Sequence, residues 1–297
     1  MEQFGNRQTD ADAGHKTCGS ITFFTHQKIT DSTTMISDIS GVHSFLIEGS
    51  KQAAVIDSCT GAGNLKAYVE TLTDKPVIMI LTHGHCDHAG GAAGFDNVYL
   101  SESDWELVER HASMDMKTDY VRFVCPDIFE QLAETDFRPV RTAGYLPLKD
   151  GQVFELGGVT LEAIAVPGHT HGMTCILNIQ ERTILFGDAC NNALFIWDEE
   201  ATSIEEYLES LEHLKQHENR YDIVYLSHGP LTADKKILDG VMEACGDVLA
   251  GKADDQPFQF MEHELKLAKK VDEQNRRVDG KLGNLVYNPE KVFRRKT

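Results

Sequence analysis

Apolar positions recur with two different periods along the chain, and these periods separate strands from helices. Residues 203–217, SIEEYLESLEHLKQH, place apolar side chains at helical spacing and predict an amphipathic helix, and residues 64–72 predict a shorter one. Residues 151–166 alternate around Gly157 and Gly158, which predicts a β-hairpin. Short apolar runs predict further strands within 21–25, 44–49, 53–57, 75–85, 174–179, 183–188 and 222–230.

Two regions have a helical pattern between or after these strands. Residues 101–141 predict a helical insertion rich in aromatic side chains. Residues 232–297 are expected to form a mainly helical C-terminal extension, with an extended or hairpin segment at 281–293. Helices and strands alternate and mix with hairpins, which predicts a single domain of the α/β (α+β) class over 1–297. The first twenty residues are polar, and we expect them to be partly disordered.

The segment LTHGHCDHAGG, at residues 81–91, concentrates metal-capable side chains directly after an apolar run. His83 and His85 lie two residues apart, so their imidazoles can converge on one cation. Asp87 and His88 can serve a neighbouring cation. Imidazole nitrogens and carboxylate oxygens are ligands of zinc, and catalytic zinc sites keep one position open for water. Four ligands do not saturate two cations, so the pattern requires further ligands downstream.

Three later strands end in such ligands. They are His169 in VPGHT, Asp188 in LFGDA and His228 in LSHGP. Loops at strand ends on a rigid scaffold are where functional side chains usually lie. Seven metal-capable residues at four strand ends therefore predict a dinuclear metal site.

In this order and spacing the motifs resemble the metallo-β-lactamase-fold hydrolase superfamily, over roughly residues 35–230, with its HxHxDH signature present as HGHCDH. The resemblance implies a four-layer αββα sandwich of two mixed β-sheets flanked by helices, with the insertion at 101–141 as a helical cap. It also implies a role for each ligand. One metal would be held by His83, His85 and His169 and the other by Asp87, His88 and His228, with Asp188 bridging the two.

The resemblance further implies hydrolytic chemistry. Two cations about 3.5–4 Å apart lower the pKa of a shared water, so the hypothesis is that a bridging hydroxide attacks a carbonyl or phosphorus centre. Asp87 or Asp188 could accept a proton during turnover, which would make them catalytic residues. Asp57 would support the first ligand histidine without touching the metal. Zinc is the expected metal, and iron and manganese suit the same ligands.

Within the superfamily, the motifs THGHCDHAGG, PGHTHG and FGD are similar to those of glyoxalase II-like thioesterases, which hydrolyse hydroxyacylglutathione, and of acyl-homoserine lactonases. A small ester, thioester or lactone is therefore the expected substrate. Met173 stands where glyoxalase II usually has a second histidine, and Asp188 stands where metallo-β-lactamases proper have cysteine or serine. The alternatives are a phosphodiesterase acting on a small phosphate ester and a non-catalytic metal-binding sensor.

Composition narrows the partners. The chain has 28 Lys and Arg against 47 Asp and Glu, a net charge of −19. Such a surface repels nucleic acid and anionic membranes, so a small-molecule substrate is expected. No apolar run is long enough to span a bilayer, and the N-terminal residues lack the apolar core of a signal peptide. Seven widely spaced cysteines favour a reduced, cytoplasmic protein, and a homodimer is compatible with the sequence.

Other residues are weaker candidates for contacts near the site. His171 lies two residues beyond His169, and Tyr287 lies in a segment that could fold back over the site. Cys86 and Cys190 adjoin the ligand motifs and are expected to be packed, reduced thiols. Most aromatic residues of the insertion are expected to pack it onto the sandwich, with one or two facing the site. These aromatic residues are Trp105, Tyr120, Phe123, Phe129 and Phe137, and the late basic residues that could bind a substrate carboxylate are Lys269, Lys270, Arg276, Arg277, Arg294, Arg295 and Lys296.

Overall fold

Seven strands that follow one another in chain order form the first sheet. The structure, a computed structural model, describes residues 21–295. The polar first twenty residues, with their expected disorder, and Lys296 lie outside the described residues. The strands are β1 (Phe24–Lys28), β2 (Thr33–Asp38), β3 (His43–Glu48), β4 (Ala53–Ile56), β5 (Val77–Ile80), β6 (Val98–Leu100) and β7 (Leu146–Pro147). Strands β1 to β4 pair antiparallel, and β4 to β7 pair parallel.

A second sheet of six strands packs face to face against the first. Phe45 and Ile56 of the first sheet share one buried apolar cluster with Leu161 and Ile176 of the second, so inward-facing side chains fill the space between the sheets. The order across this sheet is β14-β13-β11-β10-β9-β8. Its strands are β8 (Val153–Glu155), β9 (Thr160–Ala165), β10 (Thr174–Asn178), β11 (Thr183–Leu185), β13 (Ile223–Tyr225) and β14 (Thr232–Ala233), while β12 (Leu194–Ile196) belongs to a third sheet.

Helices cover the outer faces of both sheets. The helices are α1 (Leu65–Val69), α2 (Cys86–Ala89), α3 (Trp105–His111), α4 (Met114–Val124), α5 (Pro126–Phe129), α6 (Ile204–Lys215) and α7 (Ile237–Leu249). Leu65 of α1 packs on the first sheet, and Leu211 of α6 and Val241 of α7 pack on the second. The predicted four-layer αββα sandwich is therefore confirmed. Among the described helices, none is long and apolar enough to cross a bilayer.

Local sequence signals account for most of these elements. The predicted hairpin is present as β8 and β9, and Gly157 and Gly158 at its turn have positive φ angles of 91° and 82°. The predicted helix at 203–217 is α6, which begins at a capping box formed by Ser203 and Glu206. The second strand, TTMISD, was not predicted, because its polar residues hide the apolar alternation.

The helical insertion is present as α3, α4 and α5, and its aromatic residues mostly pack it onto the sandwich. Tyr120, Phe129 and Phe137 join one apolar cluster with residues such as Ile39. Trp105 packs on the first sheet and donates its indole N–H to the carbonyl of Leu100. Phe123 is 63% exposed. This cap region, residues 101–141, is therefore fixed to the body of the protein by its own small core.

The prediction that residues 232–297 are mainly helical is wrong beyond α7. A hairpin of β15 (Gln256–Phe260) and β16 (His263–Leu267) pairs with β17 (Leu285–Tyr287), and β17 pairs with β12 in a four-stranded sheet. The apolar positions of 256–267 do alternate as a hairpin requires. The turn between the two strands was not recognised because Met261, at a φ of 50°, occupies a position that usually holds glycine or asparagine.

A lysine is buried in the core of the cap. Lys117 of α4 is fully buried, and its Nζ donates a hydrogen bond to the carbonyl of Arg138 at 2.6 Å. Burial disfavours the charged ammonium and lowers the pKa of Lys117 to about 8. The folded protein therefore holds this proton less tightly than the unfolded chain does, so the stability contributed by this residue rises as the pH increases from about 8 towards the ordinary lysine range near 10.5.

A Lys117→Met variant tests this prediction. Relative to this variant, the wild-type protein is expected to gain about 2 kcal/mol of unfolding free energy between pH 7 and pH 9.5, because the cost of the buried charge disappears over that window. Urea unfolding of both proteins at the two pH values measures the difference. The same substitution at Lys252, which is exposed, is the control. A difference in unfolding free energy between Lys117→Met and wild type that does not change with pH would contradict a lowered pKa for Lys117.

Candidate metal centre

Four strand ends bring the seven predicted ligands to one edge of the sandwich. His83 and His85 follow β5, and α2 continues directly with Asp87 and His88. The other three follow β9, β11 and β13, and they are His169, Asp188 and His228. All seven belong to compact groups of metal-capable side chains in which every ligand atom of a group lies within 4.8 Å of the others.

Three histidines form the first group. Nδ1 of His85 lies 3.2 Å from Nε2 of His83 and 3.0 Å from Nε2 of His169. The ring of His83 is fully buried, and the other two are largely buried. Three imidazole nitrogens thus converge on one point.

The second group contains two histidines and two aspartates. Nε2 of His228 lies 3.2 Å from Nε2 of His88 and 3.3 Å from Oδ2 of Asp87. Oδ2 of Asp188 lies 3.5 Å from Nε2 of His228 and 3.6 Å from Nε2 of His88. The same oxygen is 3.7 Å from Nε2 of His169, in the first group. Asp188 therefore lies between the two groups, where the resemblance places a bridging ligand.

The arrangement fits divalent cations better than it fits hydrogen bonds alone. Oδ1 of Asp188 is buried and has no hydrogen-bond partner among the described residues, which is costly for a carboxylate. Ring nitrogens also face one another at 3.0–3.2 Å, and each such pair can share at most one proton. Imidazole and carboxylate ligands of this kind suit zinc, iron and manganese.

Carboxylates give the second group a strong preference for positive charge. Burial alone would lower the pKa of the His228 imidazole, but Asp188 and Asp87 raise it to about 10. Burial also opposes the charge of His88, and Asp87, Asp57 and Asp188 nevertheless raise its pKa well above the usual range. In this environment a divalent cation competes with protons for the same nitrogens. Metal binding at this group should therefore weaken as the pH falls.

Asp57 supports a different histidine from the one predicted. Its Oδ2 lies 2.8 Å from Nδ1 of His88, so it directly orients a ligand of the second group. It reaches His83, the first ligand, only through Thr82. The backbone N–H and the hydroxyl of Thr82 donate to Asp57 at 2.7 and 2.8 Å, and the hydroxyl lies 3.1 Å from Nδ1 of His83. Asp57 adopts a left-handed backbone conformation, with a φ of 63°, at the end of β4.

Asp104, a buried residue at the start of the cap, was not predicted as part of the site. Its Oδ2 accepts hydrogen bonds from the backbone N–H of Gly84 at 3.0 Å and from the hydroxyl of Thr170 at 2.7 Å. Its Oδ1 accepts a hydrogen bond from the backbone N–H of Gly172 at 2.7 Å. Asp104 thus connects the loop of His83 and His85 to the loop of His169. The three residues before it, SES, are all polar, so nothing in the sequence distinguishes this aspartate.

Glu200 and Tyr120 were also not predicted as neighbours of the ligands. Oε2 of Glu200 lies 3.2 Å from Nε2 of His85. Burial would raise the pKa of the Glu200 carboxyl, but hydrogen bonds with His111 and His85 hold it well below its usual range. Burial and the nearby negative charge of Asp87 raise the pKa of the Tyr120 hydroxyl well above its usual range. Tyr120 is therefore a cap aromatic that lies near a predicted metal ligand.

The two candidates for substrate contact differ in their positions. His171 is exposed and lines a surface groove of about 480 Å³ together with His213 and Arg294. Tyr287 is 3% exposed, packs into the core of the second sheet, and donates its hydroxyl to Asp255 at 2.5 Å. The structure therefore leaves His171 accessible and corrects the suggestion for Tyr287, whose strand β17 is paired on both sides.

The remaining candidates have structural contacts. Cys86 and Cys190 are buried thiols outside any disulfide, and burial raises the pKa of Cys190 to about 12, so both are packed thiols as predicted. Four of the late basic residues form ion pairs with nearby carboxylates and do not converge on the site. The pairs are Lys269 with Asp247, Arg276 with Asp272, Arg277 with Glu243 and Asp279, and Arg294 with Glu206 and Glu209.

The fold and the site together describe an αββα sandwich with a cluster of histidines and aspartates at one edge. The chain belongs to the metallo-beta-lactamase superfamily, whose family model matches residues 38–228. This match confirms the resemblance seen in the motifs, and it spans every predicted ligand from His83 to His228.

Known proteins similar to the chain include several thioesterases. The human acyl-coenzyme A thioesterase MBLAC2 is 28% identical over 202 residues, which cover 62% of this chain and 68% of the relative. The atrochrysone carboxyl ACP thioesterase of Aspergillus terreus is 24% identical over 154 residues, covering 50% of this chain and 39% of the relative. Among solved structures, a metallo-beta-lactamase from Pontibacter korlensis matches 74% of this chain and 97% of its own, with a TM-score of 0.55 at 18% identity, and supports the fold.

Proposed function

We propose that this protein is a dinuclear metal-dependent hydrolase that cleaves an acyl thioester. The observation that carries the proposal is the position of Asp188 between two groups of converging ligand atoms, with one buried carboxylate oxygen that has no other partner among the described residues. Two divalent cations held there, for which zinc is the expected metal, would supply a strong electrophile and lower the pKa of a bound water.

The residues of the chain prepare the site for this chemistry. His83, His85 and His169 would hold one cation, and Asp87, His88 and His228 would hold the other. The buried carboxylates of Asp87 and Asp188 remain ionised, because the pKa of each lies below its usual range, lowered by nearby histidines against the effect of burial. Both carboxylates would therefore bind cations as anions, and the expectation from the sequence that Asp87 or Asp188 accepts a proton during turnover is kept as part of the proposal.

The proposed substrate class is based on the names of two relatives. The human and fungal relatives above carry thioesterase names, one for acyl-coenzyme A and one for an acyl carrier protein, so the shared chemistry is the acyl thioester bond. The net charge of −19 disfavours nucleic acid as a substrate. The buried thiols of Cys86 and Cys190 suit a reducing compartment such as the cytoplasm.

A substrate panel tests the proposal. Purified protein, analysed for metal by plasma emission, is expected to contain two ions per chain. It should hydrolyse acyl-coenzyme A thioesters faster than S-lactoylglutathione, an acyl-homoserine lactone or bis-nitrophenyl phosphate. Chelation should lower the rate by at least about 100-fold, and added zinc should restore it. Faster turnover of the phosphodiester would replace thioesterase by phosphodiesterase, and full metal loading without turnover of any substrate would favour a metal-binding sensor.

A further inference from the structure

A charged cluster lies on the side of His85 that faces away from the other ligands. Nδ1 of His85 points to His83 and His169, while Nε2 lies 3.2 Å from Oε2 of Glu200. The other carboxylate oxygen of Glu200 accepts hydrogen bonds from Nη2 of Arg110 at 2.9 Å and from Nε2 of His111 at 3.1 Å. Both oxygens of Glu200 are therefore engaged.

This cluster joins the cap to the loop that follows β12. Arg110 and His111 are the last two residues of α3, and the ring of His111 stacks on that of His85 at 4.8 Å with an interplanar angle of 26°. The backbone N–H of Glu200 donates to Asp198 at 3.1 Å, and the Glu200 side chain is only 13% exposed. Glu200 is thus held from both directions, and it has little freedom to move away from His85.

His85 differs from three other ligand histidines in the ring nitrogen that it presents to the ligand groups, so it needs its partner at the opposite nitrogen. His83, His88 and His169 present Nε2 to the ligand groups, and their Nδ1 atoms contact Thr82, Asp57 and the carbonyl of Phe195, respectively. His85 presents Nδ1 instead. A neutral imidazole has one N–H, so a free electron pair on Nδ1 requires the proton to be on Nε2, where only an acceptor stabilises it.

A metal ion bound directly by His85, His111 and Glu200 does not explain the cluster, although their ligand atoms are close enough together. His85 would have to bind cations through both ring nitrogens, which requires a fully deprotonated ring. The guanidinium of Arg110, 2.9 Å from Glu200, would also repel a cation there. The cluster is better explained as a set of hydrogen bonds.

We propose that Glu200 is a positioning residue that fixes the Nε2-protonated tautomer of His85, so that Nδ1 is available to a metal ion, and that Arg110 and His111 hold Glu200 in place. The proposal rests on the metal centre of the proposed function. In this proposal, the last turn of α3 helps to position a ligand of that metal centre. Glu200 itself touches neither metal nor substrate, so its effect is expected on metal binding first and on turnover as a consequence.

Metal affinity of Glu200 variants tests this role without any substrate. Glu200→Ala is expected to weaken the binding of one zinc ion by about 10–100-fold in chelator competition, the usual range for loss of such a partner. Glu200→Gln, which keeps an acceptor oxygen but no charge, should lose less. Glu199→Gln is the matched control: this neighbour is 88% exposed, and its 4.0 Å ion pair with Arg110 is exposed and weak, so the variant should bind zinc like the wild type.

Cobalt substitution separates positioning from general stability. The visible absorption spectrum of the cobalt-loaded protein is expected to shift in Glu200→Ala and to shift less in Glu200→Gln, while Glu199→Gln keeps the wild-type spectrum. His111→Ala should shift it in the same direction, and its effect should be non-additive with that of Glu200→Ala because both act through one cluster. If Glu200→Ala does not fold, Glu200→Gln and His111→Ala decide.

The possible failures are distinguishable. Wild-type protein that binds no metal would refute the proposed function and with it this inference. Wild-type protein that binds two ions, together with folded Glu200→Gln and His111→Ala variants of unchanged zinc affinity and cobalt spectrum, would overturn the role of Glu200 alone.

Discussion

Replacing Asp188 with alanine is expected to remove metal binding and hydrolysis together while leaving the fold intact. Asp188 is the residue that lies between the two ligand groups, within 3.5–3.7 Å of three ligand histidines. Loss of a partner that only supports a ligand typically costs about 10–100-fold in metal affinity or activity. Loss of a shared ligand should exceed this range, so we expect turnover to fall by more than about 100-fold and metal content to fall with it.

The fold should survive this substitution because Asp188 supports no secondary structure. Its Oδ1 has no hydrogen-bond partner among the described residues, and its contacts are with the ligand histidines. Circular dichroism and plasma-emission analysis of the same sample separate metal loss from unfolding. Asp222→Ala, which removes a carboxylate that is 60% exposed, is the control and should keep full activity. Retained turnover in Asp188→Ala would remove Asp188 from the mechanism, and a metal-loaded but inactive variant would assign it a purely catalytic role.

The ligands could be predicted from the sequence because they are chemically unusual and close to strand ends. His83, His85, Asp87 and His88 stand within six positions, which is rare outside a metal site. Of the groups that orient them, Asp57 was predicted, although for a different histidine, and Glu200 and Asp104 were not. Glu200 contacts His85 across 115 positions of the chain, within a run of acidic residues that looks like ordinary surface. Only the folded chain shows which of these carboxylates is turned inward.

Local sequence also reveals some strands of the fold and not others. Strands β4 and β5 are apolar on both faces and stand out in the sequence. The hairpin of β15 and β16 carries polar and apolar residues in alternation, but its turn at Met261 lacks glycine, so the alternation was not recognised as a hairpin. The cost of a left-handed turn residue is offset by contacts elsewhere in the sheet, which the local sequence does not reveal.

The cap makes several contacts with the candidate metal centre. Asp104 accepts hydrogen bonds from the loop of His83 and His85 and from the loop of His169. Arg110 and His111 donate hydrogen bonds to Glu200, and Tyr120 lies near Asp87. The cap residues that make these contacts all belong to the region 101–141, and a small apolar core fixes this region to the sandwich. The geometry of the ligands therefore depends on how the cap is packed, and changes in the cap should reach the metal centre.

Asp104→Ala is the strongest test of that dependence. Asp104 is 1% exposed and accepts three hydrogen bonds, from Gly84, Thr170 and Gly172. Alanine would leave these donors buried without their acceptor, and each such loss costs about 1–3 kcal/mol. Because the losses are not fully additive, we expect the free energy of unfolding to fall by about 3–5 kcal/mol, measured by urea unfolding with and without bound metal.

Zinc affinity shows whether the lost stability of Asp104→Ala is accompanied by displaced ligand loops. The two loops that Asp104 joins carry all three histidines of the first group, so the variant should also bind zinc more weakly than the wild type. Glu102→Ala, an exposed carboxylate two residues earlier, should change stability by less than about 0.5 kcal/mol. Asp104→Asn keeps one acceptor oxygen and should fall between the two. A loss below about 1 kcal/mol in Asp104→Ala would mean that the ligand loops keep their positions without the cap, and that the metal centre is set by the sandwich alone.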